Sequence, residues 1–123
     1  MNVKLKVKIE EIEPGRLQGQ RIASGKARKG PKVKFDVIDG LLDVGEGDTL
    51  QIEVISSKPE SLDDYEFCGH GYKVPASGEN VEILSIWGIL FAFEPPIGLE
   101  EGVKYYVCIS RQARKSRKPK KKG

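Results

Sequence analysis

The feature that most constrains the fold is an apolar stretch from Ile83 to Phe93, which carries hydrophobic side chains at almost every position. In a strand, side chains alternate between two faces with a period of two. Read as one strand, the stretch is apolar on both sides. One face holds Ile83, Trp87, Ile89, Phe91 and Phe93, and the other holds Leu84, Ile86, Leu90 and Ala92. A small sheet needs only one apolar face, so loops of the same chain or another protein must cover the second.

Short strands separated by glycine- and proline-containing turns account for most of the remaining sequence. Alternating apolar residues predict strands over residues 3–9, 17–24, 33–37, 41–44, 50–55, 65–74 and 103–109. Turn residues such as those of Glu13-Pro14-Gly15 separate them. Because strands do not alternate with helices, the pattern predicts an all-β fold. We expect an oligonucleotide-binding-like antiparallel barrel of about eight short strands.

The charge distribution divides the chain into a domain over residues 1–110 and a basic tail over residues 111–123. The tail has eight basic residues and no acidic one, whereas the rest of the chain has 13 basic and 18 acidic residues. With few apolar side chains to bury, the tail is predicted to be disordered and flexible. It is either a solvated, solubilising segment or a contact with nucleic acid or an acidic protein surface, and we favour the contact. The predicted contacts are Arg111, Arg114, Lys115, Arg117, Lys118, Lys120, Lys121 and Lys122. Further basic residues that could follow phosphates lie at Lys4, Lys6 and Lys8 and in the loop over residues 25–34.

Catalytic and metal-binding patterns are weak. Cys68, His70 and Cys108 could supply three zinc ligands, but a structural zinc site requires four ligands at recognisable spacings. A buried thiol and a hydrogen-bonded or exposed histidine are the favoured interpretation. The glycine pairs at Gly45 and Gly69 match no phosphate-binding motif. We therefore predict no catalytic residue, no metal, no cofactor and no small-molecule substrate, and a protein that is not itself an enzyme.

The compartment is predicted to be the cytoplasm. Residues 1–8 alternate lysine with apolar residues and do not form the apolar block of a signal peptide. The apolar run from Ile86 to Phe93 is shorter than the about 20 residues that a membrane-spanning helix needs. Two cysteines do not make a disulfide framework, which favours a reducing environment. Abundant charge with few Asn and Gln residues is compatible with a thermophilic source.

Seven segments form a colinear set with a recognisable order. They are Val7 to Gly15, Lys34 to Ile38, Val44 to Asp48, Ser61 to Asp64, Tyr65 to Val74, Trp87 to Leu90 and Val103 to Ile109. Taken together, they resemble the G subunit of archaeal RNA polymerase, the family homologous to the eighth subunit of the eukaryotic enzymes. The similarity extends from about Val3 to Arg111 and rests on the whole set rather than on one motif.

The resemblance implies a non-catalytic subunit with an oligonucleotide-binding-like barrel that docks on the largest polymerase subunit and supports assembly and stability. On this basis we expect Ile86, Trp87, Gly88 and Leu90 near the interface, with Gly88 allowing close backbone approach. The alternative is a free-standing RNA- or DNA-binding barrel, such as a translation or ribosome-associated protein. That alternative would use the tail and the 25–34 loop for phosphates.

Overall fold

The computed structural model describes residues 1–112 as eight antiparallel strands that close into a barrel. Around the barrel the strands follow the order β1-β2-β3-β7-β6-β5-β8-β4. The predicted all-β class, the closed antiparallel barrel and the number of strands are confirmed. No helix in this part of the chain is long and apolar enough to cross a membrane. The strands are β1 (Asn2–Pro14), β2 (Gln20–Ala27), β3 (Lys32–Ile38), β4 (Thr49–Ile55), β5 (Phe67–Val74), β6 (Glu82–Ile86), β7 (Ile89–Glu94) and β8 (Tyr105–Arg111).

The long first strand closes the barrel because its two halves pair with different neighbours. Residues 2–8 pair with β4, and residues 7–14 pair with β2. The register shifts between Ile9 and Glu11, which marks a bulge. A bulge bends a strand and increases its twist, so β1 can leave one neighbour and follow the other.

The barrel interior is filled by the inward side chains of every strand. Leu5, Val7 and Ile9 are buried between exposed lysines of β1, as the alternation predicted. The rings of Phe35 and Phe91 stack with centroids 5.2 Å apart. Phe35, Phe91, Phe93 and Tyr105 are buried in this core, whereas Trp87 is exposed.

The Ile83–Phe93 stretch is a hairpin, and its interpretation as one strand is wrong. Ile86 pairs with Ile89, so Trp87 and Gly88 form a two-residue turn between β6 and β7. Both turn residues have positive φ, 56° at Trp87 and 90° at Gly88, as the two-residue turns that suit twisted hairpins require. Even-numbered residues point inward before the turn and odd-numbered residues point inward after it. Each of the two predicted faces therefore contains both inward and outward side chains. Leu84, Ile86, Phe91 and Phe93 point inward, whereas Ile83, Ser85, Leu90 and Ala92 do not.

The two cysteines form a disulfide, so the prediction of a free buried thiol is wrong. Cys68 on β5 and Cys108 on β8 are directly opposite each other in the sheet, with Cα atoms 4.1 Å apart. Residues 40 positions apart in sequence become cross-strand partners only after the barrel closes. The cysteine count therefore no longer supports a reducing compartment.

A buried carboxylate holds the loop between β7 and β8. Glu82, at the start of β6, is 7% exposed. Its Oε1 accepts hydrogen bonds from the backbone N–H groups of Ile97 (2.8 Å), Gly98 (3.0 Å) and Leu99 (3.2 Å). Its Oε2 lies 3.3 Å from the Lys73 ammonium. Desolvation opposes ionisation here, but the hydrogen bonds from Leu99, Ile97 and Gly98 and the contact with Lys73 outweigh it and lower the pKa of Glu82.

Candidate interaction surfaces

Trp87 stands at the tip of the β6–β7 hairpin and is 62% exposed. Its ring meets the edges of Phe67 and His70, with centroid distances of 6.2 and 5.7 Å. A left-handed backbone is uncommon for a bulky residue, and short polar residues or glycine usually occupy this turn position. Neither the exposure of this large indole nor its positive φ stabilises the isolated domain. This combination is typical of a residue retained for a contact.

Two further exposed apolar side chains lie in one row across the outer face of this sheet. Tyr72 on β5 is opposite Ser85 on β6, and Ser85 is opposite Leu90 on β7. Tyr72 is 47% exposed and Leu90 is 42% exposed. We call Tyr72, Ser85, Trp87 and Leu90 the outer patch. In this patch the small Ser85 lies between the large side chains of Tyr72 and Leu90, so the surface between them is shallow.

Side-chain hydrogen bonds hold the backbone around the outer patch in place. The Ser85 hydroxyl accepts a hydrogen bond from the Gly88 N–H at 3.3 Å. The Leu90 N–H donates to Asp36 Oδ2 at 3.0 Å, beyond the point where β3 and β7 pair directly. A Cβ atom at Gly88 would meet nothing within 4 Å, so the positive φ rather than crowding explains this glycine. The patch is thus presented by an ordered hairpin.

The residues predicted from the resemblance to lie near an interface do not all share one surface. Trp87, Gly88 and Leu90 are on the outside of the hairpin, but Ile86 is fully buried in the core. Ile86 packs close to Gly69, where an added Cβ would come within 2.5 Å of its Cγ2 atom. Ile86 therefore supports the hairpin from inside, whereas Tyr72, which was not among the predicted interface residues, is exposed on this surface.

Arg111 belongs to the barrel rather than to the tail. It is the last residue of β8, one position beyond the predicted domain boundary. Its guanidinium lies 2.6 Å from Glu66 Oε1, 3.5 Å from Asp48 Oδ2 and 3.7 Å from Asp43 Oδ2. The hydrogen bond to Glu66 raises the pKa of Arg111 despite desolvation. Because its charge is engaged by three carboxylates, Arg111 is not included in the nucleic-acid contact proposed below. The other predicted tail contacts lie outside the described residues.

The described residues contain no cluster of three or more His, Cys, Asp or Glu side chains that could hold a metal ion. The sulfur atoms of Cys68 and Cys108 are bonded to each other, so the three-ligand zinc alternative has lost two of its ligands. His70 instead packs its ring against Trp87 and Tyr106, with centroid distances of 5.7 and 5.6 Å. Its role in the structure is a ring contact beside the outer patch.

The family model for the G subunit of DNA-directed RNA polymerase matches residues 2–112, which is nearly all of the chain that the structure describes. The chain belongs to this family. No curated protein matches it. Membership of this polymerase-subunit family associates the chain with the RNA polymerase complex. The match covers the whole barrel, including the hairpin that carries Trp87 and the ion pairs of Arg111.

Two features of this polymerase-subunit barrel escaped sequence reasoning. The Glu82 carboxylate and its loop are 15 to 17 residues apart, and only the barrel brings them together. Tyr72 could be predicted as exposed from its strand parity, but its position in a row with Leu90 depends on the hairpin register. The Trp87-Gly88 pair between two apolar runs was the available signal, since a glycine after a residue that can adopt positive φ marks a two-residue turn.

Proposed function

We propose that this chain is a non-catalytic peripheral subunit of an archaeal DNA-directed RNA polymerase. In this proposal it docks on the largest subunit through the outer patch and supports assembly and stability of the enzyme. Family membership supports the polymerase as partner. The observation that carries the docking surface is the exposed Trp87 on a positive-φ backbone.

The outer patch has the composition of an interface centre. Tryptophan and tyrosine are enriched among residues that dominate binding energy, and interface centres are apolar with a polar rim. The exposed part of Trp87, 62% of the side chain's accessible area, amounts to roughly 150 Å², and its burial would contribute about 4 kcal/mol before the costs of association. Polar residues such as Asp36 border the patch. The largest polymerase subunit is the proposed occupant because the family resemblance implies it.

The segment that follows Gln112 is proposed to contact nucleic acid near the polymerase. It holds seven basic residues and no acidic one. Such a segment binds phosphates without an apolar core and with a steep dependence on salt. The contact would add to docking rather than replace it.

A cytoplasmic location is part of the proposal, and the disulfide is compatible with it for one class of source. Intracellular proteins of hyperthermophilic archaea are an exception to the rule that cytosolic proteins lack disulfides. The abundance of charged residues agrees with such a source.

The experiment is affinity purification of the tagged full chain from its source cells in mild salt, with the partners identified by mass spectrometry. The natural chain should recover the large polymerase subunits in stoichiometric amounts. Leu90→Asp should lose them while its circular dichroism and unfolding midpoint stay unchanged, because Leu90 points away from the core. The matched control is Leu62→Asp, since Leu62 is 48% exposed but lies in the β4–β5 connection outside the patch.

Three results would contradict the proposal. Recovery of polymerase by Leu90→Asp at the natural level would exclude the patch as the docking surface. Unfolding of Leu90→Asp would place that side chain in the core. Recovery of ribosomes or nucleic acid alone would favour the free-standing nucleic-acid-binding alternative.

A further inference from the structure

The outer face of β1, β2 and β3 carries a cluster of lysines that the docking proposal does not use. Lys4, Lys6 and Lys8 point outward along β1, since the residues between them are buried. The register then places Lys8 opposite Lys26 on β2, and Lys26 opposite Lys32 on β3. We call Lys8, Lys26 and Lys32 the lysine row. Three lysine side chains therefore start from one line across three strands, with strands about 5 Å apart.

The lysine row makes no ion pair that would hold it to the rest of the described barrel. All three side chains are exposed, and none forms an ion pair with another residue in the part of the chain that the structure describes. Like charges directly opposite each other in a sheet are destabilising, and the row contains two such pairs. By contrast, Lys73 and Arg111 of the same barrel lie beside carboxylates. Lys32 has Glu94 as its cross-strand neighbour on β7, but none of the three ammonium groups lies within ion-pair distance of a carboxylate of the described residues, so a ligand could still neutralise the row.

The lysine row lies close to the point where the basic tail begins. Gln112 donates its backbone N–H to the Thr49 carbonyl at 2.9 Å, and Thr49 is the partner of Lys8 across β1 and β4. The described chain thus ends two strands away from Lys8, with β4 between them. From there the sequence continues with seven basic residues. The row, with Lys4 and Lys6 of β1, therefore forms a basic region close to the point where the described chain ends.

Acidic residues limit this region on two sides. Glu94 on β7 is opposite Lys32. On β1, Glu11 and Glu13 follow the bulge, and repulsion by Glu13 raises the pKa of Glu11 above its ordinary value. The basic region is consequently bounded, and it extends from the row along β1 toward Lys4.

The chemistry of this face favours nucleic acid over protein as the ligand. The exposed side chains of the row are lysines, and the aromatic Phe35 of β3 points into the core. A protein interface needs an apolar centre, which the row lacks. Binding to a nucleic-acid backbone needs only cations placed along phosphates. Without an exposed aromatic ring for base stacking, such binding would not depend on sequence.

We propose that Lys8, Lys26 and Lys32 bind the phosphate backbone of nucleic acid. The central strand of the row, β2, is three strands from β6 around the ring, and Lys32 and Leu90 lie toward opposite ends of the neighbouring strands β3 and β7. Docking through the patch would therefore leave the row accessible. The inference does not require docking, since it concerns the chain alone.

The test measures binding of the full chain to a fluorescent single-stranded oligothymidylate by anisotropy at several salt concentrations. The variant is the triple substitution Lys8→Gln, Lys26→Gln and Lys32→Gln. The control removes the same charge from the tail by Lys120→Gln, Lys121→Gln and Lys122→Gln. Each phosphate contact contributes about 0.7 to the slope of log affinity against log salt, so the row variant should lower the slope by about 2.

Two further controls separate loss of charge from loss of structure. A triple Lys→Arg variant of the row should keep the natural slope, because only charge is required. Unfolding curves should show that the Gln variant is folded. The proposal is overturned if the row variant keeps the natural slope while the tail control loses it, or if the natural chain does not bind at low salt. Equal affinity for polyglutamate would also overturn it, because the surface would then select no phosphate.

Discussion

Removal of the Glu82 charge should destabilise the barrel, because this carboxylate is the acceptor for a whole loop. In Glu82→Gln, the amide oxygen can still accept from Ile97 and Gly98, but the amide nitrogen replaces Oε2. That nitrogen would face the Leu99 N–H and the Lys73 ammonium, which lie 3.0 and 3.3 Å from Oε2. The Leu99 N–H can still donate to the amide oxygen, since it lies 3.2 Å from Oε1, but the Lys73 ammonium would face another donor and would lose its acceptor.

The magnitude follows from the hydrogen bonds that change. A hydrogen bond to a charged group contributes about 1.5–3 kcal/mol, compared with about 1 kcal/mol between neutral groups. One such bond is lost and the others become neutral, while the partly exposed Lys73 recovers some solvation. We expect the free energy of unfolding to fall by about 2–4 kcal/mol, measured by urea denaturation near neutral pH. The control is Glu101→Gln, which removes the same charge from an exposed position.

The pH dependence gives an independent check of the same reasoning. The pKa of Glu82 is lowered from its ordinary value of 4.5 in the folded protein. Its stabilisation is therefore complete above 4.5 and is lost as the pH falls through the lower folded pKa. The difference between natural chain and Glu82→Gln should shrink in that acidic range, because both side chains are then neutral. A difference below about 1 kcal/mol at neutral pH, or one independent of pH, would refute this account.

Three further changes test other parts of the barrel. Gly71→Ala should lower the free energy of unfolding, measured with urea, by about 3 kcal/mol or more, because the new Cβ would lie 1.7 Å from the Ser85 carbonyl oxygen. Gly30→Ala is the control and should have a smaller effect, since its Cβ has its nearest contact at 3.2 Å. Reduction of the disulfide, which spans 40 positions, should lower the free energy of unfolding by about 4 kcal/mol; the Cys68→Ser, Cys108→Ser double variant should not respond to reductant. Lys26→Gln should raise stability by less than about 1 kcal/mol, since it removes both like-charge pairs of the lysine row. A loss of stability instead would mean that the row supports the fold.

The barrel could be predicted because alternation and turn residues are local signals. Lys32–Ile38 and Thr49–Ile55 follow the period of two and were found within one residue of their observed ends. The predicted number of strands was correct because two errors compensated. Residues 41–44 do not form a strand, and the Ile83–Phe93 stretch forms two. Tryptophan at the turn concealed the hairpin, because its size indicated a core position.

The interaction surfaces could be predicted only in part, since they depend on register. The resemblance indicated Trp87, Gly88 and Leu90, but the inward direction of Ile86 follows from the parity change at the turn. Nor does sequence show that Lys8 and Lys26 are cross-strand partners, because the bulge after Ile9 sets that pairing. The disulfide also depends on strand pairing, because Cys68 and Cys108 meet only where β5 lies beside β8.

Site-specific photo-crosslinking within the polymerase tests the central claim most directly. A photoreactive residue would replace Leu90 in one chain and Gln51, an exposed residue on β4, in another, and the crosslinked partners would be identified by mass spectrometry of purified polymerase. Docking through the outer patch predicts a crosslink from position 90 to the largest subunit and none from position 51. Crosslinking to that subunit from position 51 alone would contradict the account.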